Sequence, residues 1–336
     1  MENNKIDRLV EVLSVPTYSK NESRLIKYLE DDLTKNGYSY TKDDIGNIFV
    51  TKGVSNNYPL FVAHTDTVHR VDEDLTIKRY NHNDNRHKNK LALTGYNSKT
   101  NEPSGCGGDD KCGVYLALEM LDHLENVKVA FFVSEEIGCI GSNYAVKYNK
   151  EFFSDVGYAI QYDSPEGDSL SATLMGKELF ETSKVFRDKV SGLILEHGID
   201  KWERHPYTDI WPMLENFDYC CLNLAAGYYK YHTSNEYVIV DDVQNAFDLG
   251  VKLFNVLGEN KYERGSDETV GDIFFDHEED EDEIDFDDEM LLIESEGSDL
   301  VSDDEIERYK SLASKEVWTV DDWEFYDDYR SRFFII

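Results

Sequence analysis

Apolar residues recur every three to four positions through IDRLVEVLSV and again through RLIKYLEDDL, a spacing that predicts two helices. The first ends near Pro16. The second starts at Ser-Lys-Asn-Glu, Ser19 to Glu22, which has the form of a capping box, and runs to Gly37. Short apolar stretches at YSYTK, NIFVTKG and PLFVAH, punctuated by Asp-Asp-Ile-Gly and Ser-Asn-Asn, then predict strands. LTIKRY and KLALTG flank a polar tip of Asn, His, Asp and Lys, as in a hairpin, and residues 97–105 are loop-like. A helix from Lys111 to His123 follows, and three apolar strands stand at KVAFFVS, GYAIQY and YCCLNL. Between the last two lie a strand at SATLMG, a helix near 183–197 and a short helix near 209–216. DDVQNAFDLGVKLFNVLG reads as a closing helix that ends near Gly258. Strands alternating with helices imply an α/β fold whose sheet is parallel at least in its centre.

Beyond Gly258 the pattern fails. HEEDEDEIDFDDE is too charged to pack, and the net charge of −35 is concentrated around it: residues 261–336 hold 28 Asp/Glu against 7 Lys/Arg. The expected organisation is a folded domain at 1–258 and an acidic, largely disordered tail at 259–336. The final stretch, 316–336, alternates aromatics with acids. It reads either as a segment that docks on the domain or binds a protein partner, or as a solvated end. A nucleic-acid partner is excluded, because counterion release needs basic surface that this chain lacks. Cys106, Cys112, Cys139, Cys220 and Cys221 form no CxxC pair and no even framework, so they read as reduced thiols. With no apolar signal core and no membrane-length run, the expectation is a soluble, cytoplasmic protein with no membrane contact.

Four apolar runs each lead into a residue that can bind a metal: PLFVA into His64, KVAFFVS into Glu135 and Glu136, GYAIQY into Asp163, and YCCLNLAAGYY toward His232. In open α/β sheets, sites form beyond the carboxyl ends of the strands. His64-Thr65-Asp66 sets a carboxylate two residues past an imidazole, where it can take the second ring N–H and orient the ligand; the same triplet also occurs as ordinary loop polarity. Gly107-Gly108-Asp109 is a glycine turn before a helix, so Asp109 is either a bridge between two cations or a helix N-cap. At Glu135-Glu136 adjacent side chains diverge, which allows one to bind metal while the other serves as general base; the alternative is a solvated acidic turn. Carboxylates with only two histidines suit a pair of dications such as zinc, manganese or cobalt.

FVAHTDTV, CGGDDKCGV, FVSEEIGCIGS, the strand end at Asp163 and YHTSNEYV, in that order, resemble the co-catalytic zinc peptidases. That superfamily includes tripeptidase T-like enzymes, carboxypeptidase G2-like deacylating relatives, and bacterial leucyl and Y-type aminopeptidases. The resemblance covers about residues 5–258. It implies a three-layer αβα fold around a mixed, mostly parallel central sheet. It also implies two divalent ions, zinc in the first instance. By the same resemblance His64 binds one metal, oriented by Asp66, and Asp109 bridges both, with a cis Asp109–Asp110 peptide. Glu135 is the general base, Glu136 and His232 complete one metal's shell, and Asp163 completes the other with His64.

Many members insert a dimerising lid between the ligands equivalent to Asp163 and His232. Here 69 residues (232 − 163) separate them, which leaves no room for an extra domain of roughly 100 residues. A lidless form lacks the lid's histidine, so Tyr228, Tyr229 or Tyr231 is the expected donor to an oxyanion. Asp209, in YTDIWP, reads as an N-cap or a substrate contact, while His69 and His205 read as packing or rim residues. The function this implies is hydrolysis of peptide bonds, with removal of N-terminal residues from short peptides. Deacylation of N-acyl amino acids uses the same chemistry. A non-catalytic metal-binding scaffold with an interaction tail is the reading from another class.

Overall fold

Phe61 and Leu60 are neighbours in sequence, yet they belong to separate apolar clusters. So do Phe131 and Phe132, and Ile160 and Ala159. Successive side chains on a strand point to opposite faces, so strands apolar on both faces must be covered twice. The computed structural model describes residues 1, 3–174, 177–178, 183–205 and 208–264, without the side chains of 172–174, 177–178 and 202–205. These residues fall within one unit, Met1–Glu268. Residues 259–264, the start of the expected tail, pack with the preceding domain: Tyr262 is buried in its core and Glu263 bridges to Tyr219. The rest of the tail, with its 316–336 segment, and the end of the SATLMG stretch lie outside the described residues, as does the side chain of His205.

In chain order the elements are α1 (Asn3–Leu13), α2 (Ser23–Lys35), β1 (Tyr40–Lys42), β2 (Ile48–Lys52), β3 (Tyr58–His64), β4 (Leu75–Asn83) and β5 (Lys88–Asn97). Next come α3 (Gly108–His123), β6 (Val127–Phe132), α4 (Ile140–Tyr148), α5 (Lys150–Phe153), β7 (Val156–Ser164), β8 (Ser169–Leu174) and β9 (Lys177–Glu178). The rest are α6 (Lys184–Glu196), β10 (Lys201–His205), α7 (Ile210–Asn216), β11 (Cys220–Ala225), β12 (Tyr228–Tyr229), β13 (Tyr237–Ile239) and α8 (Val240–Leu257).

The main sheet runs β1-β2-β6-β3-β7-β11-β8-β10, with β9 on β8. Its centre, β6-β3-β7-β11, is parallel, whereas β1, β2 and the β11–β8 junction are antiparallel. One face is covered by apolar residues of α1, α2, α3, α6 and α8, and the other by Ala145, Phe153, Ile210 and Met213 of α4, α5 and α7. Fully buried side chains such as Phe61 and Phe132 each contribute about 1.5–3 kcal/mol relative to exposure. The fold is therefore the expected three-layer α/β arrangement with a mixed, mostly parallel sheet. Between Asp163 and His232 the described elements build the main sheet and its helices, and no separate lid appears among them.

A second sheet, β12-β13-β5-β4, was not anticipated beyond its β4–β5 hairpin. Its two- and three-residue strands are too short to show periodicity. The capping box at Ser19–Glu22 does not form: Glu22 occupies the N-cap position of α2 without a side-chain cap bond. Both side chains have distant partners instead, Ser19 on Asp66 at 2.7 Å and Glu22 on the Ser134 hydroxyl at 2.9 Å. YSYTK yields only the three residues of β1. No helix of the described residues is long and apolar enough to cross a membrane.

Candidate metal centre

Parallel pairing aligns the ends of β3, β6 and β7, with His64 beside Phe132 at the edge of the β3–β6 ladder. His64 is the last residue of β3, Glu135 and Glu136 follow β6, and Asp163 is the penultimate residue of β7 rather than past its end. All four are buried. Asp109 enters from the start of α3, where its φ/ψ (−78°, 107°) is not helical and the Asp109–Asp110 peptide is cis. Regular helix begins beyond Asp110, as the reading of a helix from Lys111 expects.

The Asp109 carboxylate lies between two histidines. Its Oδ1 is 3.1 Å from His64 Nε2, and its Oδ2 is 3.3 Å from His232 Nε2. Asp163 Oδ1 lies 3.5 Å from His64 Nε2, and Glu136 Oε2 lies 3.1 Å from His232 Nε2. The result is two His–carboxylate groups that share one carboxylate. Glu135 Oε2 stands 3.8 Å from His64 Nε2, and its Oε1 accepts from the Cys139 thiol at 3.6 Å. Asp110 also lies within reach of His64 and Asp163. Its two oxygens, however, accept the His64 and Gly113 backbone N–H groups, so it serves as a brace.

Asp66 does more than the HxD spacing suggests. His64 Nδ1 meets the Asp66 backbone carbonyl at 3.1 Å and its carboxylate at 3.4 Å. That carboxylate also accepts the backbone N–H groups of Glu135 and Glu136, at 2.9 and 3.2 Å. One side chain thus holds both the His64 ring and the Glu-Glu turn.

Glu236 was missed as an individual residue, although it stands within the YHTSNEYV motif. It is fully buried. Its Oε2 accepts from Gly107 N at 2.5 Å, Cys106 N at 3.1 Å and His69 Nε2 at 2.9 Å, and its Oε1 accepts from Asp109 N at 3.2 Å. It therefore shapes the glycine turn that presents Asp109. Gly107 has φ +63°, and a Cβ on Gly108 would sit 2.7 Å from the Tyr228 Cβ, so both glycines are required there.

Electrostatics match this crowding. Burial raises the proton affinity of Glu135 well above the usual carboxylate range, and Asp163, Glu136 and Asp209 add to it against the pull of His64. Burial, with Asp109 and Asp209, pushes Asp163 up to about 7 against the hydrogen bond and charge of His64. Burial opposes charge on His64, and local desolvation opposes it on His232, whose side chain is 45% exposed. The surrounding carboxylates outweigh it and hold both rings protonated well above the ordinary histidine range.

The three tyrosines part company. The Tyr229 hydroxyl donates to Asp242 at 2.6 Å and meets His87 Nε2 at 3.1 Å, so it is engaged away from the centre and its oxyanion assignment is withdrawn. Tyr231 packs edge-on to His232 and is 42% exposed. Tyr228 is buried, and burial with the charges of Asp109, Asp163 and Asp110 raises its proton affinity. Asp209 takes the N-cap position of α7 without making the capping bond, so its side chain is not a cap. Neither of its buried oxygens has a hydrogen-bond partner of normal geometry among the described residues. The nearby Ser142 hydroxyl donates to the Cys139 carbonyl at 3.2 Å instead. Burial pushes Asp209 up to about 7, with Asp66 and Glu136 adding and His64 and the Ser142 hydroxyl opposing.

No protein-family model matches the sequence, and comparison with curated proteins found no match. Solved structures do match in fold. The TET1 peptidase of Pyrococcus horikoshii is 16% identical, with TM-score 0.52, covering 74% of this chain and 98% of that one. The aminopeptidase PepT of Bacillus cereus ATCC 10987 is 14% identical, with TM-score 0.53, covering 75% and 98%. A tripeptidase of Staphylococcus aureus subsp. aureus mu50 is 13% identical, with TM-score 0.55, covering 75% and 97%. The chain has the α/β fold of these aminopeptidases and tripeptidases.

Proposed function

We propose that this chain is a two-metal peptidase that removes N-terminal residues from short peptides, with 1–258 as its catalytic domain. The observation that carries the reading is the Asp109 carboxylate between His64 and His232, flanked by Asp163 and Glu136 and overlooked by Glu135. The donor set fits two borderline dications: imidazole and carboxylate atoms converge, and no cysteine enters the group. His64, Asp163 and Asp109 would hold one ion, and His232, Glu136 and Asp109 the other, with zinc the first choice and cobalt or manganese substitutes. Such a pair, when bound, would supply Lewis-acid polarisation of the scissile carbonyl and lower the pKa of a bound water toward neutral.

The chain's own residues do the rest. Glu135, buried beside the paired His–carboxylate groups, takes a proton from the attacking water on Oε2 and delivers it to the leaving amine. Asp66 keeps Glu135 and His64 in register through its bonds to both segments. Asp209 offers a buried carboxylate to the substrate's α-ammonium, a group that N-acyl amino acids lack.

Glu135→Ala tests the assignment. The variant should hold about two metals per chain, as wild type does, while turnover falls by about 10²–10⁴. Equal activity in the two proteins would refute the assignment of the base. Aminoacyl and N-acyl chromogenic substrates test specificity, and activity confined to blocked amines would make the enzyme a deacylase.

A further inference from the structure

The tip of the β4–β5 hairpin reads Asn-His-Asn-Asp-Asn-Arg-His, residues 81–87. It brings His82, Asp84 and His87 together, with one ligand atom of each lying within 4.8 Å of the others. We propose that this tip is a further metal site, binding one transition dication of the zinc class through His82 Nε2, Asp84 Oδ2 and His87 Nδ1. None of these residues belongs to the centre around Asp109.

The argument begins with His87, which is 6% exposed. Its Nε2 meets the Tyr229 hydroxyl at 3.1 Å, and that hydroxyl donates its own proton to Asp242 at 2.6 Å. The Tyr229 oxygen is therefore the acceptor, and His87 Nε2 carries the proton. With the Nε2 proton committed to Tyr229, Nδ1 is the ring atom left to ligate. It is buried without a hydrogen-bond partner, and the nearest acidic oxygen, Asp84 Oδ1, faces it at 3.6 Å. A cation held by the Asp84 carboxylate would give that nitrogen a partner. The Nε2 contacts to Tyr229 and, at 3.3 Å, to Asp242 are the outer-sphere partners that metal-bound histidines use to fix their tautomer.

The other two groups are held for the same task. Asp84 Oδ1 is occupied by the backbone N–H groups of Arg86 and His87, which leaves Oδ2 to ligate. His82 Nε2 lies 2.9 Å from that Oδ2, a hydrogen-bonding distance; neighbouring ligands of a four-coordinate ion with bonds of about 2.0–2.1 Å stand roughly 3.3–3.4 Å apart, so the pair has to open by about 0.4 Å to admit the ion. His82 Nδ1 faces the Tyr80 hydroxyl at 3.2 Å, so the ring can move its proton there when Nε2 binds metal. Stacking on Tyr237 at a centroid distance of 4.5 Å fixes the ring plane. Two imidazoles and one carboxylate favour zinc, cobalt, nickel or copper over calcium or magnesium. Three protein ligands leave the remaining position to water or to a donor from another molecule.

The test uses the full chain, zinc alone as probe, and His82→Gln and Asp84→Asn as variants. Because the acidic tail is identical in all three proteins, zinc held by the tail cancels in the comparison. Wild type should retain one more zinc per chain than either variant, the variants binding that equivalent about tenfold more weakly or worse. Peptidase turnover should be unchanged. In wild type, zinc should shift the Nδ1 resonance of His87 and the Nε2 resonance of His82 in ring-nitrogen spectra, a readout that does not depend on the variants folding. Equal zinc content in the three proteins, or ring resonances that ignore zinc, would overturn the proposal.

Discussion

Replacing Glu236 by Gln changes one buried atom and tests whether the glycine turn before Asp109 is held from a distance. Glu236 accepts four hydrogen bonds, three on Oε2 and one on Oε1. A glutamine has one accepting oxygen. If that oxygen keeps the Oε2 position, its amide NH₂ faces the Asp109 N–H, donor against donor. The lost bond to a charged acceptor is worth about 1.5–3 kcal/mol, and the three that survive lose their charge assistance. With the side chain fully buried, water cannot compensate, so the expected loss is about 2–4 kcal/mol. Urea unfolding of the two proteins measures it as a lower midpoint at constant slope. Because the displaced group is the backbone of Asp109, zinc affinity at the centre should fall about 10–100-fold as well. A change below about 0.5 kcal/mol with unaltered zinc affinity would refute the reasoning.

Two further outcomes follow from the buried carboxylates. Asp209→Asn should raise KM for substrates with a free amine tenfold or more, the worth of a hydrogen bond to a charged group being about 1.5–3 kcal/mol, while leaving N-acyl substrates unaffected; an equal effect on both would remove Asp209 from amine recognition. After chelation, thermal stability should fall as pH rises from 5 to 8. Asp163 and Asp209 (both near 7) and the two histidines bind protons more tightly folded than unfolded, so their contribution is full below the unfolded values and is lost as pH climbs through the folded ones. Zinc-loaded protein should not follow that slope, since the ions replace the protons, and zinc affinity should rise over the same range. Parallel melting curves with and without zinc would contradict it.

What could be read from the sequence and what could not divides along a physical line. His64, Glu135, Glu136 and Asp163 stand where apolar runs end and Asp109 follows a glycine pair, and both are local features that a sequence displays. The near-continuous apolar runs in PLFVAH and KVAFFV likewise announce strands buried on both faces. Tyr228 and Tyr229 were offered together, yet neighbours on a strand face opposite sides; a two-residue strand has no pattern to reveal which side is which. The capping box was misjudged because Ser19 and Glu22 satisfy the local rule while their partners, Asp66 and Ser134, lie 47 and 112 positions away. Glu236 is the same case, reaching back 127 to 130 positions to the turn it holds.

These errors share a direction. Asp66, Asp110, Glu22 and Glu236 each spend carboxylate oxygens on backbone N–H groups beside the residues that converge on Asp109. An acid in the chain looks the same whether it faces a metal, water or a distant amide, so composition ranks them alike. Only the folded contacts separate the acids that face one another across the centre from those that aim them. The acids that aim are the more expensive to remove from the fold, because each leaves buried donors behind. Substitutions at the facing acids should therefore be read out in metal content and turnover, and substitutions at the aiming acids first in stability.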